Sequence, residues 1–169
     1  LVTQGKVRYI ANSNYAGWQI VDAHWIARTT GGSPFVCAEN QYHLLDRRAE
    51  AEIIPAVRAC GMGFMPYAPL ARGMLTGKYE RGAPAPEGTR LSTAPQATAL
   101  LVDRNFDLIE RLSAFAERQG HTVHELALSW LARKPFVSCV IAGATSVEQV
   151  RANVAGTEWR LTTEEMEEA

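Results

Sequence analysis

Short apolar runs recur along this chain about every thirty residues, each followed by polar turn formers and then by a one-sided helical pattern. Val7, Val36 and Phe64, inside three such runs, stand 29 and 28 residues apart. A strand, a crossover helix and a return to the same sheet need about that length, whereas antiparallel neighbours are joined by much shorter turns. The spacing therefore predicts βα units, and with them an α/β fold built on a parallel sheet.

Taken in order, residues 6–10 form a β-rich run, and Asn12, Ser13 and Asn14 follow with side chains that favour turns and caps. Trp18, Val21 and Trp25 then recur at helical spacing and are expected in the core, before Gly31, Gly32, Ser33 and Pro34 end that helix. Residues 35–38 open a second unit, with Asn40 and Gln41 at the strand exit. Its helix is marked by Ala49, Ile53, Ala56, Val57 and Cys60 and stopped by Gly61. Residues 63–65 open a third unit. Residues 80–96, rich in Pro, Gly, Ala and Thr, read as a long loop, a length usually reserved for functional or disordered segments. Phe106, Ile109, Leu112, Phe115 and Ala116 mark the next helix, and Thr122 with Glu125 forms a capping box ahead of Leu126 and Trp130. Residues 136–141 are expected as a fourth strand, followed by a helix through Val147, Val150 and Val154. Thr162 with Glu165 announces a last helix. The first residue is Leu1, and both ends read as cut, so residues 1–169 are expected to be a single partial domain.

Seventeen Lys and Arg against 18 Asp and Glu leave no basic excess for a nucleic-acid footprint. No apolar run approaches the roughly 20 residues of a membrane span. Cys37, Cys60 and Cys139 are odd in number and lie in apolar surroundings, which predicts buried reduced thiols and a cytoplasmic home.

Ligands of parallel α/β folds bind beyond the carboxyl ends of the strands. Four polar clusters stand there: Ser13 and Asn14; Asn40 and Gln41; Tyr67 with the loop through Pro69, Leu70 and Gly73 to Lys78; and Gly143 to Ser146 with Gln149 and Asn153. They combine amides, hydroxyls, one aromatic face, glycine-lined backbone and a helix N-terminus, a mixture that suits a dinucleotide better than a metal or a hydrolytic centre. Simpler roles stand beside this one. Ser13 and Asn14 can cap the following helix, Gln149 can close a capping box with Ser146, Tyr67 can be a core aromatic, and Lys78 and Arg90 can be solvated. His121 and His124 lack a third ligand, so no metal is expected.

The sequence from Gly5 through Ile10 with Ser13 and Asn14, then Gln41 and Tyr42, then Tyr67 through Gly77, Lys78 and Tyr79, then Gly143 through Gln149 with Asn153, resembles the carboxyl-terminal half of an aldo-keto reductase over nearly the whole chain. The resemblance implies a (β/α)8 barrel of the TIM type, of which this chain supplies about the last four βα units. It implies an oxidoreductase that uses NADPH, and less readily NADH, to reduce small aldehydes or ketones. Ser13, Asn14 and Gln41 would hold the nicotinamide carboxamide and Tyr67 would stack on its ring. Pro69, Leu70, Gly73 and Lys78 would follow the diphosphate, Arg90, Thr145 and Gln149 the ribose 2'-phosphate, and Asn153 the adenine.

The chain departs from the family at Gly143 and Gln149, where relatives carry a Lys and an Arg, and at Ala152, where many carry an acid. The family's catalytic tetrad comes from the first four strands, so no catalytic residue is assigned here. A complementing barrel half or a second copy would complete such a fold. The alternative reading is a non-catalytic nicotinamide-nucleotide-binding regulatory subunit, and a weaker one is a phosphate-binding barrel of other chemistry.

Overall fold

A computed structural model describes residues 1–95 and 97–169, so Gln96, the last residue of the expected loop, lies outside the described residues. The chain divides into two compact units. The first comprises Leu1–Tyr42, Asp46–Tyr67 and Lys134–Ile141, and the second His43–Leu45, Ala68–Arg133 and Ala142–Ala169.

The first unit is a parallel sheet of three strands in sequence order, β1 (Ile10–Ser13), β2 (Phe35–Gln41) and β3 (Gly63–Tyr67), with helices α1 (Gly17–Thr30) and α2 (Ile53–Ala59) as the crossovers. Side chains alternate across a strand. Asn12, Ala38, Asn40, Phe64 and Pro66 fall on one buried face, while Ala11, Ser13, Glu39, Gln41, Met65 and Tyr67 fall on the other, which is more open. Helix α1 turns Gly17, Ile20 and Ala27 inward, and α2 turns Ile54, Ala56 and Val57 inward. A Cβ on Gly17 would stand 2.8 Å from the Glu52 carbonyl oxygen, so only glycine lets the start of α1 come this close to the start of α2.

Three expectations for this unit need correction. The first strand is Ile10–Ser13, not residues 6–10. Ile10 pairs with Phe35, and one step further back stands Pro34, which has no N–H for the ladder, so the β propensity of Val7 and Tyr9 finds no partner. Secondly, Trp18 and Trp25 are not core. Each is 66% exposed and Val21 is 47% exposed, because α1 packs through its smaller stripe and leaves the aromatic one outside. Thirdly, residues 136–141 make no regular strand, only isolated bridges from Val137 to Phe64 and from Ile141 to Tyr67. Phe64 N donates to Phe136 O at 3.1 Å and Ser138 N to Phe64 O at 2.9 Å. The next ladder bond would be donated by residue 66, which is proline and has no N–H. Ile141, one residue late, then donates to Pro66 O at 3.0 Å, so the segment runs alongside β3 with its register broken.

The second unit holds a 3-10 segment (Ala71–Thr76) and helices α3 (Ala97–Leu100), α4 (Asp103–Arg118), α5 (Val123–Ala132), α6 (Val147–Ala155) and α7 (Thr163–Glu168). Phe106, Ile109, Leu112, Phe115 and Ala116 of α4 are all buried, as their spacing requires, and they share this core with Leu126, Leu128, Trp130 and Leu131 of α5. Trp130 is fully buried, in contrast to the tryptophans of α1. The capping boxes at Thr122 with Glu125 and at Thr162 with Glu165 both form, and Ser146 caps α6. Val147, Val150 and Val154 of α6 are exposed. The long loop is tied down where Tyr79 Oη accepts from Leu91 N at 3.2 Å and where Arg81 bonds Asp103, Asp107 and Glu110 of α4. The three cysteines are free, but only Cys37 is buried, Cys60 being intermediate and Cys139 exposed. Among the described residues no helix is long and apolar enough to cross a membrane.

Candidate dinucleotide-binding site

In the first unit, Ser13, Gln41 and Tyr67 end their strands on the same open face. Ser13 pairs with Glu39, and Gln41 pairs with Tyr67. Asn14 follows β1 at φ +58°, a left-handed conformation that asparagine tolerates better than most residues, and its N–H donates to Glu39 O at 2.9 Å. Its side chain links the cluster: Tyr67 Oη donates to Asn14 Oδ1 at 2.9 Å, and Asn14 Nδ2 donates to Ser13 Oγ at 3.3 Å. The phenol ring is thereby fixed at the strand exit by its own hydroxyl.

Gln41 Nε2 donates to Asp46 Oδ2 at 3.0 Å, and Arg48 grips both oxygens of that carboxylate. This orients the Gln41 amide. Asp46 carries no sequence motif of its own, and its only signal is an acid a few residues beyond a strand exit.

The capping role open to Ser13 and Asn14 is not the one they take. The N-cap of α1 is Ala16, whose N–H is met by Gln19 Oε1 at 2.9 Å, while Gly17 N donates to Glu52 Oε1 at 3.2 Å.

In the second unit, the loop after β3 carries Ala68, Ala71, Arg72 and Gly73 at φ +53°, +47°, +58° and +97°. So many left-handed residues in one short segment store strain, which is characteristic of backbone shaped to meet a ligand. Pro69 is buried and Leu70 half-buried. Lys78 is exposed and lies back over Gly73: a Cβ there would stand 2.7 Å from Lys78 Cε and 2.9 Å from Nζ. The ammonium is 5.4 Å from the centre of the Tyr79 ring.

The last cluster is closed by side chains. Thr145 N and Oγ1 donate to Gln149 Oε1 at 2.7 and 3.2 Å, and Gln149 N donates to Ser146 Oγ at 3.3 Å. The capping box with Ser146 does not close: Ser146 accepts from the Gln149 N–H, but the Gln149 side chain bonds Thr145 rather than the Ser146 N–H and so shapes the loop that holds Thr145. Asn153 Nδ2 donates to Gly143 O at 3.4 Å, and its Oδ1 lies 3.0 Å from His124 Nε2. His124 enters through this contact, which sequence spacing alone did not signal. Arg90 is exposed and makes no hydrogen bond or ion pair with the other candidates among the described residues.

The amides, hydroxyls and phenol of the first unit offer donors and acceptors without charge. The second unit offers a lysine, a strained glycine loop and a capped helix start. The first set suits a neutral amide group of a ligand, and the second suits anionic groups.

Two comparisons bear on this arrangement. An uncharacterized oxidoreductase of Bacillus subtilis, YrpG, is 35% identical over 160 residues, covering 95% of this chain and 47% of that protein. A putative voltage-gated potassium channel subunit beta of Schizosaccharomyces pombe is 35% identical over 165 residues, covering 94% of this chain and 47% of its own length. The chain therefore spans about half the length of these curated relatives. The family model described as the aldo/keto reductase family matches residues 1–169. This chain belongs to the aldo/keto reductase family.

Proposed function

We propose that the chain is the nicotinamide-dinucleotide-binding part of an oxidoreductase that reduces aldehydes or ketones, with NADPH as its cofactor. The observation that carries this reading is the Tyr67 ring, locked through its hydroxyl to Asn14 and paired in register with Gln41. A flat ring held at a strand exit beside amide groups suits a nicotinamide face and its carboxamide. The donor set of the second unit fits phosphate: Lys78 over Gly73, Thr145 on its closed loop, and Arg90 exposed in the long loop. When bound, the cofactor supplies hydride. The chain's own residues bind and orient it, with Ser13, Asn14, Gln41 and Tyr67 taking the nicotinamide end, Pro69, Leu70, Gly73 and Lys78 the diphosphate, Arg90, Thr145 and Gln149 the 2'-phosphate, and Asn153 the adenine end.

The parallel sheet would belong to a (β/α)8 barrel, working in the cytosol and completed by further βα units that also bring the catalytic acid, either from upstream sequence or from another chain. The second reading, a regulatory nucleotide-binding subunit, draws its support from the relative named as a potassium channel subunit beta.

Calorimetric titration of the chain with NADPH, NADH and AMP tests the cofactor assignment. Saturable NADPH binding that weakens markedly in Tyr67→Ala is expected, and NADPH binding no tighter than AMP would overturn it. A version extended upstream, assayed for carbonyl-dependent NADPH oxidation, separates the two readings, since the regulatory subunit binds without turnover.

A further inference from the structure

One charge stands inside the otherwise neutral cluster of Ser13, Asn14, Gln41 and Tyr67. Among the described strand residues of β1, β2 and β3, Glu39 alone is charged. It pairs in register with Ser13 on one side and with Met65 on the other, so alternation sets its side chain on the open face where Ser13, Gln41 and Tyr67 end their strands. Its backbone is fixed there: Glu39 O accepts from Asn14 N at 2.9 Å, and the Asn14 side chain in turn holds the Tyr67 hydroxyl. The carboxylate is half-buried and, among the described residues, makes no hydrogen bond or ion pair. Asp46, the other acid beside the cluster, differs, because Arg48 holds both its oxygens.

What a fixed negative charge adds at this place follows from the chemistry of a nicotinamide ring. The reduced ring is neutral. The oxidised ring has lost a hydride, with both electrons of its C–H bond, and carries one positive charge. A carboxylate with no cation of its own attracts the oxidised ring by its charge, whereas amides, a hydroxyl and a phenol treat the two forms nearly alike. The two forms share adenine, 2'-phosphate and diphosphate, so contacts to those groups cancel when their affinities are compared.

We propose that Glu39 sets the redox preference of this site, its carboxylate favouring NADP+ over NADPH. The inference rests on the nicotinamide reading of the cluster. By linkage, a tighter hold on the oxidised form makes the bound reduced form a stronger hydride donor toward a carbonyl. Calorimetric titration with NADP+, NADPH and AMP tests it in the wild-type chain, Glu39→Gln and Glu39→Asp. Glu39→Gln is expected to weaken NADP+ about fivefold relative to NADPH, the upper end for a charge pair that keeps contact with water. Glu39→Asp retains the charge and is expected to retain most of the preference. Added salt is expected to narrow the preference of the wild type and to leave that of Glu39→Gln unmoved, since only the wild type holds a charge at the ring. If both forms bind more tightly than AMP and their affinity ratio is the same in Glu39→Gln as in the wild type, this proposal falls and the nicotinamide reading stands. A ratio in Glu39→Asp equal to that in a shifted Glu39→Gln, or a wild-type ratio insensitive to salt, would likewise overturn it. If neither form binds more tightly than AMP, both fall.

Discussion

Substituting Gly73 and Gly77 separately by alanine divides backbone strain from ligand contact in the loop after β3. Both glycines have positive φ, +97° and +78°. An alanine in the left-handed region costs roughly 1–2 kcal/mol, so the two variants should lose similar stability in urea unfolding followed by circular dichroism. Their surroundings differ. Nothing lies within 4 Å of a Cβ on Gly77, whereas a Cβ on Gly73 would meet Lys78 Cε at 2.7 Å, Nζ at 2.9 Å and Tyr79 Cε2 at 3.3 Å. The end of a lysine can swing aside at little steric cost, but in doing so it leaves the place assigned to a phosphate oxygen. A hydrogen bond to a charged group contributes about 1.5–3 kcal/mol, so Gly73→Ala should raise the NADPH dissociation constant roughly 10- to 100-fold by calorimetry. Lys78→Gln should do the same, and the double variant should lose little more, because both changes remove one contact. If Gly77→Ala weakens NADPH as much as Gly73→Ala, or if Gly73→Ala keeps wild-type affinity, the reasoning that couples this glycine to Lys78 is refuted.

Three further outcomes are expected. Arg72→Gly relieves a left-handed arginine and should stabilise the chain by up to about 1 kcal/mol, whereas a lower melting temperature would show that the arginine side chain, not the backbone, matters there. A Cβ on Gly63 would stand 2.2 Å from Ser138 Oγ but 3.4 Å from Ser138 Cβ, so Gly63→Ala should cost about 1–3 kcal/mol and Ser138→Ala should restore most of it; additive losses in the double-variant cycle would argue against that contact. At the start of α5, the Thr122 backbone N–H is the main cause that holds the Glu125 carboxyl below its ordinary value, against burial. The unfolded chain therefore binds more protons: the stability from Glu125 is full above the ordinary carboxylate pKa of about 4.3 and is lost as pH falls through the lower folded value. Glu125→Gln should flatten that acid limb, and a limb unchanged by it would assign the pH dependence elsewhere.

The candidate site of the first unit was legible as a cluster because strand exits in parallel α/β folds have a characteristic chemistry. Ser13, Asn14, Gln41 and Tyr67 stand out as amides, a hydroxyl and a ring directly after apolar runs, and the parallel registers set Gln41 beside Tyr67. Their partners were not legible. Asp46 under Gln41 and His124 under Asn153 come from other segments with no spacing rule to reveal them.

By itself the sequence determined the alternation of strand and helix, the helix starts at Thr122, Ser146 and Thr162, and the buried stripe of α4, because caps and periodicity are local and act within a turn or two of chain. Tertiary structure alone decided which face of α1 is buried. Trp18, Val21 and Trp25 have the spacing of a core stripe, but Gly17 permits a closer approach than any tryptophan could, and packing density favours the smaller face. It also decided where pairing begins and breaks, since a ladder needs two strands, and Pro34 and Pro66 act on their neighbours' hydrogen bonds rather than on their own segments.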